Sequence, residues 1–313
     1  MPIPIVLDCD PGHDDALAIL LALARPELSV LGITTVAGNA PVEATTRNAL
    51  RVLTLLGRTD VPVASGAARP LLQVPRPAPE VHGTSGLDGA ELPEPTVAPR
   101  PEGAIALIAS LVHASADPVT LVPTGPLTNI ALFLRAHPKL IERVDRICLM
   151  GGAMGVGNTT ASAEFNIWCD PEAAAIVFDS GRPIAMHGLD VTHHALFTSA
   201  DIERLEQIGS RTSAVFAGLL RFYARFHAHH YGWDGAPIHD AVAVGHVALP
   251  GLVETTRYRV DVVTGNGAAR GRTVVDVEGQ TGLPANAEVG VRIDRERFID
   301  LLLDAVRTYP GPG

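Results

Sequence analysis

The chain has 313 residues, 47% of them hydrophobic and 19% charged, and a formal net charge of −10, values of a globular protein long enough to bury a large core. The acidic balance excludes an electrostatic footprint for nucleic acid or an anionic membrane surface, and no run of 18 apolar residues offers a membrane span. Pro2, Pro4 and Asp8 interrupt the first apolar stretch, which has no signal-peptide pattern, so a cytoplasmic location is expected; Cys9, Cys148 and Cys169 have neither metal nor disulfide spacing and are expected to pack as small buried side chains.

Ile3 to Leu7 reads as a buried strand and Leu17 to Leu23 as a buried helix. Between them Asp8, Asp10, Asp14 and Asp15 crowd a strand-to-helix turn broken by Pro11 and Gly12. A helix N-terminus stabilises one of these carboxylates, Asp14 or Asp15. The group needs more than that, because two like charges about 5 Å apart repel by roughly 3 kcal/mol at an effective dielectric of about 20. Either some acids are protonated or a cation sits among them. Asp8 and Asp10 share a face of the extended chain, whereas Asp14 and Asp15 point about 100° apart on the helix. A hard divalent ion on Asp10 and one helix acid relieves the repulsion and leaves the other acid for a ligand hydroxyl.

Leu28 to Val36 reads as a second strand, Val42 to Leu56 as an amphipathic helix and Val61 to Ala64 as a third strand. This βαβ rhythm predicts an α/β protein with a mostly parallel, Rossmann-like open sheet flanked by helices. Ligands of such sheets bind beyond the carboxyl ends of the strands, so Asn39 is either a turn residue after Gly38 or a ligand contact level with Asp10. The proline- and glycine-rich stretch 65–100 has no period of either kind and is read as functional or mobile. A helix from about 102 to 114 precedes a strand from Val119 to Val122, which runs into Pro123-Thr124-Gly125-Pro126. That turn is either punctuation or a source of unpaired carbonyls for a hard cation.

The strand Asp145 to Leu149 ends in Met150-Gly151-Gly152, which lacks the spacing and the lysine of a phosphate-binding loop. In Glu164-Phe165-Asn166-Ile167 the alternation predicts an extended segment with both polar groups on one side. Asp170-Pro171 is expected to cap a helix. Helices are predicted at 201–207 and 212–228, the second ending in a cluster of His227, His229, His230, Tyr231 and Trp233. Asp240, after His239, reads as the N-cap of another helix. Strands at 253–264, 272–277 and 288–293 form a small antiparallel extension before a last helix at 295–307, all within a single domain spanning 1–313.

Asp8-Cys9-Asp10-Pro11-Gly12-His13-Asp14-Asp15-Ala16, following an apolar strand, resembles the signature of the nucleoside hydrolases, the calcium-dependent inosine-uridine N-ribohydrolases. Further matches follow in the family's order near positions 39, 82, 124, 150, 164 and 240. Cys9 departs from a common Thr, and His13 from a common aliphatic residue. The resemblance implies a Ca2+ ion held by Asp10, Asp15, Asp240 and the Thr124 carbonyl, with Asp10 the general base of N-glycosidic hydrolysis. It implies Asp14, Asn39, Asn158, Glu164 and Asn166 on the ribose, with Met150 beside them, and a flap over residues 81–89 carrying His82. Tyr231 and His227 are then base-side candidates for stacking, and His239 the acid that protonates the departing base. The family commonly forms homodimers and homotetramers acting on small ribonucleosides.

Two other readings stand beside it. A haloacid-dehalogenase-type phosphohydrolase also begins with Asp-x-Asp after its first strand, yet Lys139, the only lysine, is poorly placed beside His137-Pro138 to hold phosphate. The other is a non-catalytic ribose- or calcium-binding protein.

Overall fold

The computed structural model describes residues 1–310; the last three residues of the expected 1–313 unit lie outside the described residues. Six parallel strands, β1 (Ile3–Cys9), β2 (Leu28–Thr35), β3 (Val63–Ser65), β4 (Val119–Pro123), β5 (Val144–Met150) and β6 (Ile184–His187), stand in the order β3-β2-β1-β4-β5-β6. This is the doubly wound order, whose topological switch lies between β1 and β4. A short antiparallel pair, β7 (Leu196–Phe197) with β8 (Ala236–Pro237), lies outside that sheet. Past β6 the sheet continues through β9 (Val253–Val262), β10 (Thr273–Asp276) and β11 (Ala287–Ile293), with β11 parallel to β6 and β9 antiparallel to both β11 and β10. The expected small antiparallel extension is this end of the sheet.

The period of two along β1 explains the two layers. Ile5, Leu7 and Cys9 face the core made with helices His13–Ala24, His239–Ala248 and Arg295–Thr308, while Val6 faces helices Ala104–Ala114, Thr128–Ala136 and Pro171–Phe178. All three cysteines are buried and unpaired, as composition predicts. No helix among the described residues is long and apolar enough to cross a membrane.

Three local readings are corrected. Glu164–Ile167 is not extended: Phe165–Cys169 is a short helix, because the Glu164 side chain caps it by accepting from the backbone N–H groups of Asn166 and Ile167. The long helix runs Arg211–Tyr231, so His229 to Tyr231, beyond its expected end at 228, form its last turn; it stops at Gly232, which takes a left-handed φ of 70°. Strand β6 was missing from the sequence reading because four residues, Ile-Ala-Met-His, show too little periodicity.

Candidate active site

Asp8, next to last in β1, is fully buried, and its Oδ1 accepts from Thr34 Oγ1 (2.6 Å) on β2 and Asn129 Nδ2 (2.8 Å). Burial pushes this carboxyl up to about 7 against both hydrogen bonds, so Asp8 ties strands together. Asp10 lies one step beyond the strand. Its Oδ2 accepts from the backbone N–H of Asn39 (2.7 Å), and its own carbonyl accepts from Asn39 Nδ2 (3.2 Å). Two glycines make room for it: a Cβ at Gly38 would sit 2.0 Å from Asp10 Oδ2, and one at Gly125 would sit 2.5 Å from Oδ1. The carboxylate is thus wedged between the loops that follow β2 and β4, at the topological switch.

Asp15, in the first turn of the helix His13–Ala24, accepts from Gly12 N (2.9 Å), Thr124 Oγ1 (3.0 Å), Asp10 N (3.3 Å) and Asn39 Nδ2 (3.3 Å). Asp14 and Asp15, despite their angular separation, each bring a carboxylate oxygen to within 4.8 Å of the other and of Asp240. Asp10 stands outside this closest group. Burial raises the pKa of Asp10, Asp14, Asp15 and Asp240, and for Asp10 and Asp240 the neighbouring acids push it well above the usual range. No arginine or lysine makes a salt bridge to any of the four among the described residues. Four buried hard-oxygen donors without a cationic partner fit a hard divalent cation. The Thr124 carbonyl, expected as a fifth donor, accepts from Asn166 Nδ2 (2.7 Å), and a carbonyl keeps a second lone pair.

Above these acids opens a cavity of about 510 Å3, the size of a small-molecule site. Asp14, Asn39, His82, Thr124, Met150, Asn158, Glu164, Asn166, Tyr231, His239 and Asp240 all line it. Asp10 and Asp15 do not; they lie behind Asn39 and Thr124, to which they are hydrogen-bonded. Glu164 is buried, is pushed up to about 7 by that burial, and spends its oxygens on the N–H groups of Gly152, Asn166 and Ile167. Asn158 sits at the exposed rim, its Oδ1 accepting from Phe165 N (2.9 Å). Asp170 caps its helix as expected, accepting from Ala173 N (3.1 Å).

Aromatic side chains also line this cavity. His227 and Tyr231 line it, and Tyr231 stacks on Trp233 at 4.6 Å. His239 is held by Thr192, whose Oγ1 lies 2.7 Å from its Nδ1. Burial drives the pKa of His239 and His82 well below the ordinary value and that of His227 down to about 4. Sequence reasoning missed His193, Tyr223, Phe226, Trp168 and Arg76, which also line the cavity. Only Arg76 left a signal, because it lies in the 65–100 stretch read as functional.

These features, acids at a β1/β4 switch under a cavity walled by amides, histidines and aromatics, have counterparts among known proteins. A family model described as inosine-uridine preferring nucleoside hydrolase matches residues 5–300. The chain belongs to that family. The hydrolase is 52% identical over 310 residues to the pyrimidine-specific ribonucleoside hydrolase RihA of Escherichia coli O8 (strain IAI1), covering 99% of this chain and 100% of that one. Its fold matches a purine-preferring ribonucleoside hydrolase from Gardnerella vaginalis with a TM-score of 0.92 at 33% identity, over 98% of this chain and 99% of that one. It matches the plant nucleoside hydrolase PpNRh1 with a TM-score of 0.91, again at 33% identity and over 98% and 99% of the two chains. The hydrolase is therefore an enzyme, a glycosidase acting on N-glycosyl compounds.

Proposed function

We propose that the hydrolase cleaves the N-glycosidic bond of ribonucleosides to ribose and free base, with Ca2+ as its cofactor and pyrimidine ribonucleosides as its preferred substrates. The observation that carries this is the group of buried acids without a cationic partner beside a cavity that histidines and aromatic side chains also line. The pyrimidine preference rests on the printed specificity of the 52% identical relative. A calcium ion held by Asp10, Asp15, Asp240 and the Thr124 carbonyl would supply the charge this cluster lacks, anchor the ribose diol and acidify a water. Asp10 accepts the proton of the attacking water, which adds to the anomeric carbon as the bond to the base breaks and the sugar passes through oxocarbenium character. Asp14, Asn39, Asn158, Glu164 and Asn166 hold the sugar, with Met150 beside them. A missing hydroxyl takes a partner from the buried Asp14 and Asn166, which discriminates against deoxyribose. Tyr231 packs on the base, His82 contacts the ligand from the flap, and His239 gives the departing base its proton.

We read residues 1–313 as one domain that works in the cytoplasm as a homodimer or homotetramer. The phosphohydrolase alternative is set aside by the family match. The test is incubation with a panel of nucleosides, following free base and ribose separately. Uridine and cytidine are expected to turn over faster than inosine and adenosine, and deoxyuridine slowly. Binding of nucleosides with no release of base would favour the non-catalytic alternative.

A further inference from the structure

We propose that His227 recognises the base of the substrate as a hydrogen-bond acceptor, taking an N–H group of the base on its Nε2. This rests on the reading that the cavity holds a nucleoside. His227 lies in the helix Arg211–Tyr231, with its Nδ1 3.1 Å from the carbonyl of Tyr223, four residues back. A carbonyl only accepts, and it keeps a second lone pair beside the one its helix bond uses, so Nδ1 carries a proton and donates it. The tautomer is thus assigned from the network. Burial pushes His227 down to about 4, so near neutral pH the ring holds one proton and Nε2 is bare.

The ring is held in this setting. Turning it over would put a carbon against the Tyr223 carbonyl and break the bond. Tyr223 and Phe226 pack nearly perpendicular to it, with centroids 4.5 and 5.3 Å away, and Trp233 lies nearly parallel at 6.0 Å. Nε2 has no partner among the described residues, yet it is not one of the enclosed unpaired atoms. His227 is otherwise buried and lines the cavity, so that nitrogen opens on it.

The base is the half of the nucleoside that His227 meets. Tyr231, which packs on the base in the proposed function, lies 6.0 Å from it. Trp233 connects it to the group that serves the departing base, since His193 lies 5.0 Å from Trp233 and 5.6 Å from His239. The proposed ribose contacts come from other segments, Asp14, Asn39 and residues 158–166. Two N–H groups of a pyrimidine can fill the acceptor, the ring N–H of uracil and the exocyclic amine of cytosine. A base stripped of its N–H leaves a bare nitrogen without a partner at the cavity wall, a larger penalty than the loss of contact area alone. His227 is therefore a specificity-determining residue, and its part is hydrogen bonding in addition to the stacking that its place beside Tyr231 suggests.

The test compares uridine with 3-methyluridine, and cytidine with cytidine dimethylated on its amine, in wild type and in His227→Leu. In the wild type, methylation of the N–H that is read should lower kcat/KM about tenfold, the loss of one hydrogen bond. In His227→Leu the unmethylated nucleoside has already lost that bond, so methylation should cost little more. The pair that shows the effect tells the ring N–H from the amine. A wild type that discriminates in neither pair, or a methylation penalty of wild-type size in His227→Leu, overturns the assignment. The ¹⁵N spectrum of the full-length wild type labelled at histidine reads the ring without turnover and without the variant. It should show a protonated Nδ1 and a bare Nε2 on His227, with the Nε2 resonance moving on addition of uracil or of cytosine. A proton on Nε2, or no movement with either base, overturns the acceptor role even where His227→Leu fails to fold. Should no nucleoside lose its base while a free base still moves that resonance, the proposed function fails and the recognition stands.

Discussion

Asp10 is buried and fixed by one backbone N–H, with glycines on two sides where any side chain would displace it. Asp10→Asn should lower kcat by about 10³-fold while circular dichroism and the melting profile stay close to wild type, since an amide is a poor base; near-wild-type kcat would make Asp10 purely structural. His239 calls for a different comparison, because the role proposed for it concerns the leaving group. His239→Ala should depress kcat for uridine far more than for p-nitrophenyl riboside, whose leaving group departs without protonation. Equal losses would point instead to a displaced Asp240, the next residue along the helix, and would remove His239 from the catalytic list.

At the scale of elements, β6 ends in His187, which lies fully buried between the sheet and the helix His239–Ala248. Its Nδ1 donates to the Leu149 carbonyl (3.2 Å), its ring lies 4.7 Å from that of His246, and its Nε2 has no partner in the protein. Burial, more than the neighbouring His246, pushes His187 down to about 3. A depressed histidine means that below its unfolded value of 6.5 the unfolded chain binds a proton that the folded chain refuses. Stability therefore falls as pH drops from 6.5 towards 3, by ~2 kcal/mol at pH 5. Denaturant titrations at pH 7 and pH 5 should show a smaller acid loss in His187→Gln than in wild type. Identical losses in the two proteins would mean that His187 takes up its proton while folded.

For the whole molecule, the proposed cation at the β1/β4 switch would couple its binding to folding. Chelation should abolish turnover and lower the melting temperature, since an ion bound only by the folded chain contributes about 3 kcal/mol when its free concentration is a hundredfold above Kd. Full activity after exhaustive chelation would end the calcium reading. The pH dependence has a definite sign. Burial raises Asp14 from 3.8 to about 7, so the cation-free folded chain keeps a proton that the unfolded chain releases, and its stability falls as pH rises through that window. A cation removes this penalty by favouring the ionised carboxylates. The melting-temperature gap between calcium-loaded and chelated hydrolase should therefore widen from pH 5 to pH 7.5, and a gap independent of pH would contradict the carboxylates as ligands.

Much of this protein was determined by local pattern. The apolar run before Asp8, the breakers Pro11 and Gly12, and the βαβ spacing set β1, its following helix and a parallel sheet, because strand and helix periods and turn chemistry act over a few residues. The crowding of Asp8 to Asp15 likewise made a cation or protonation necessary before any partner was known, since repulsion at that spacing depends on the short segment alone. Tertiary structure decided what those residues meet. Asp240 joins Asp14 and Asp15 only when the helix His239–Ala248 packs on His13–Ala24, more than two hundred residues away in sequence. Gly38 and Gly125 are ordinary turn glycines until the ends of β2 and β4 close on Asp10. His13 reads as an isolated departure from an aliphatic position until the flap brings Asp88 and His82 to its two nitrogens. Glu164 shows why alternation misled: one carboxylate accepting the backbone N–H groups of Asn166 and Ile167 outweighs a four-residue pattern and winds the segment into a helix.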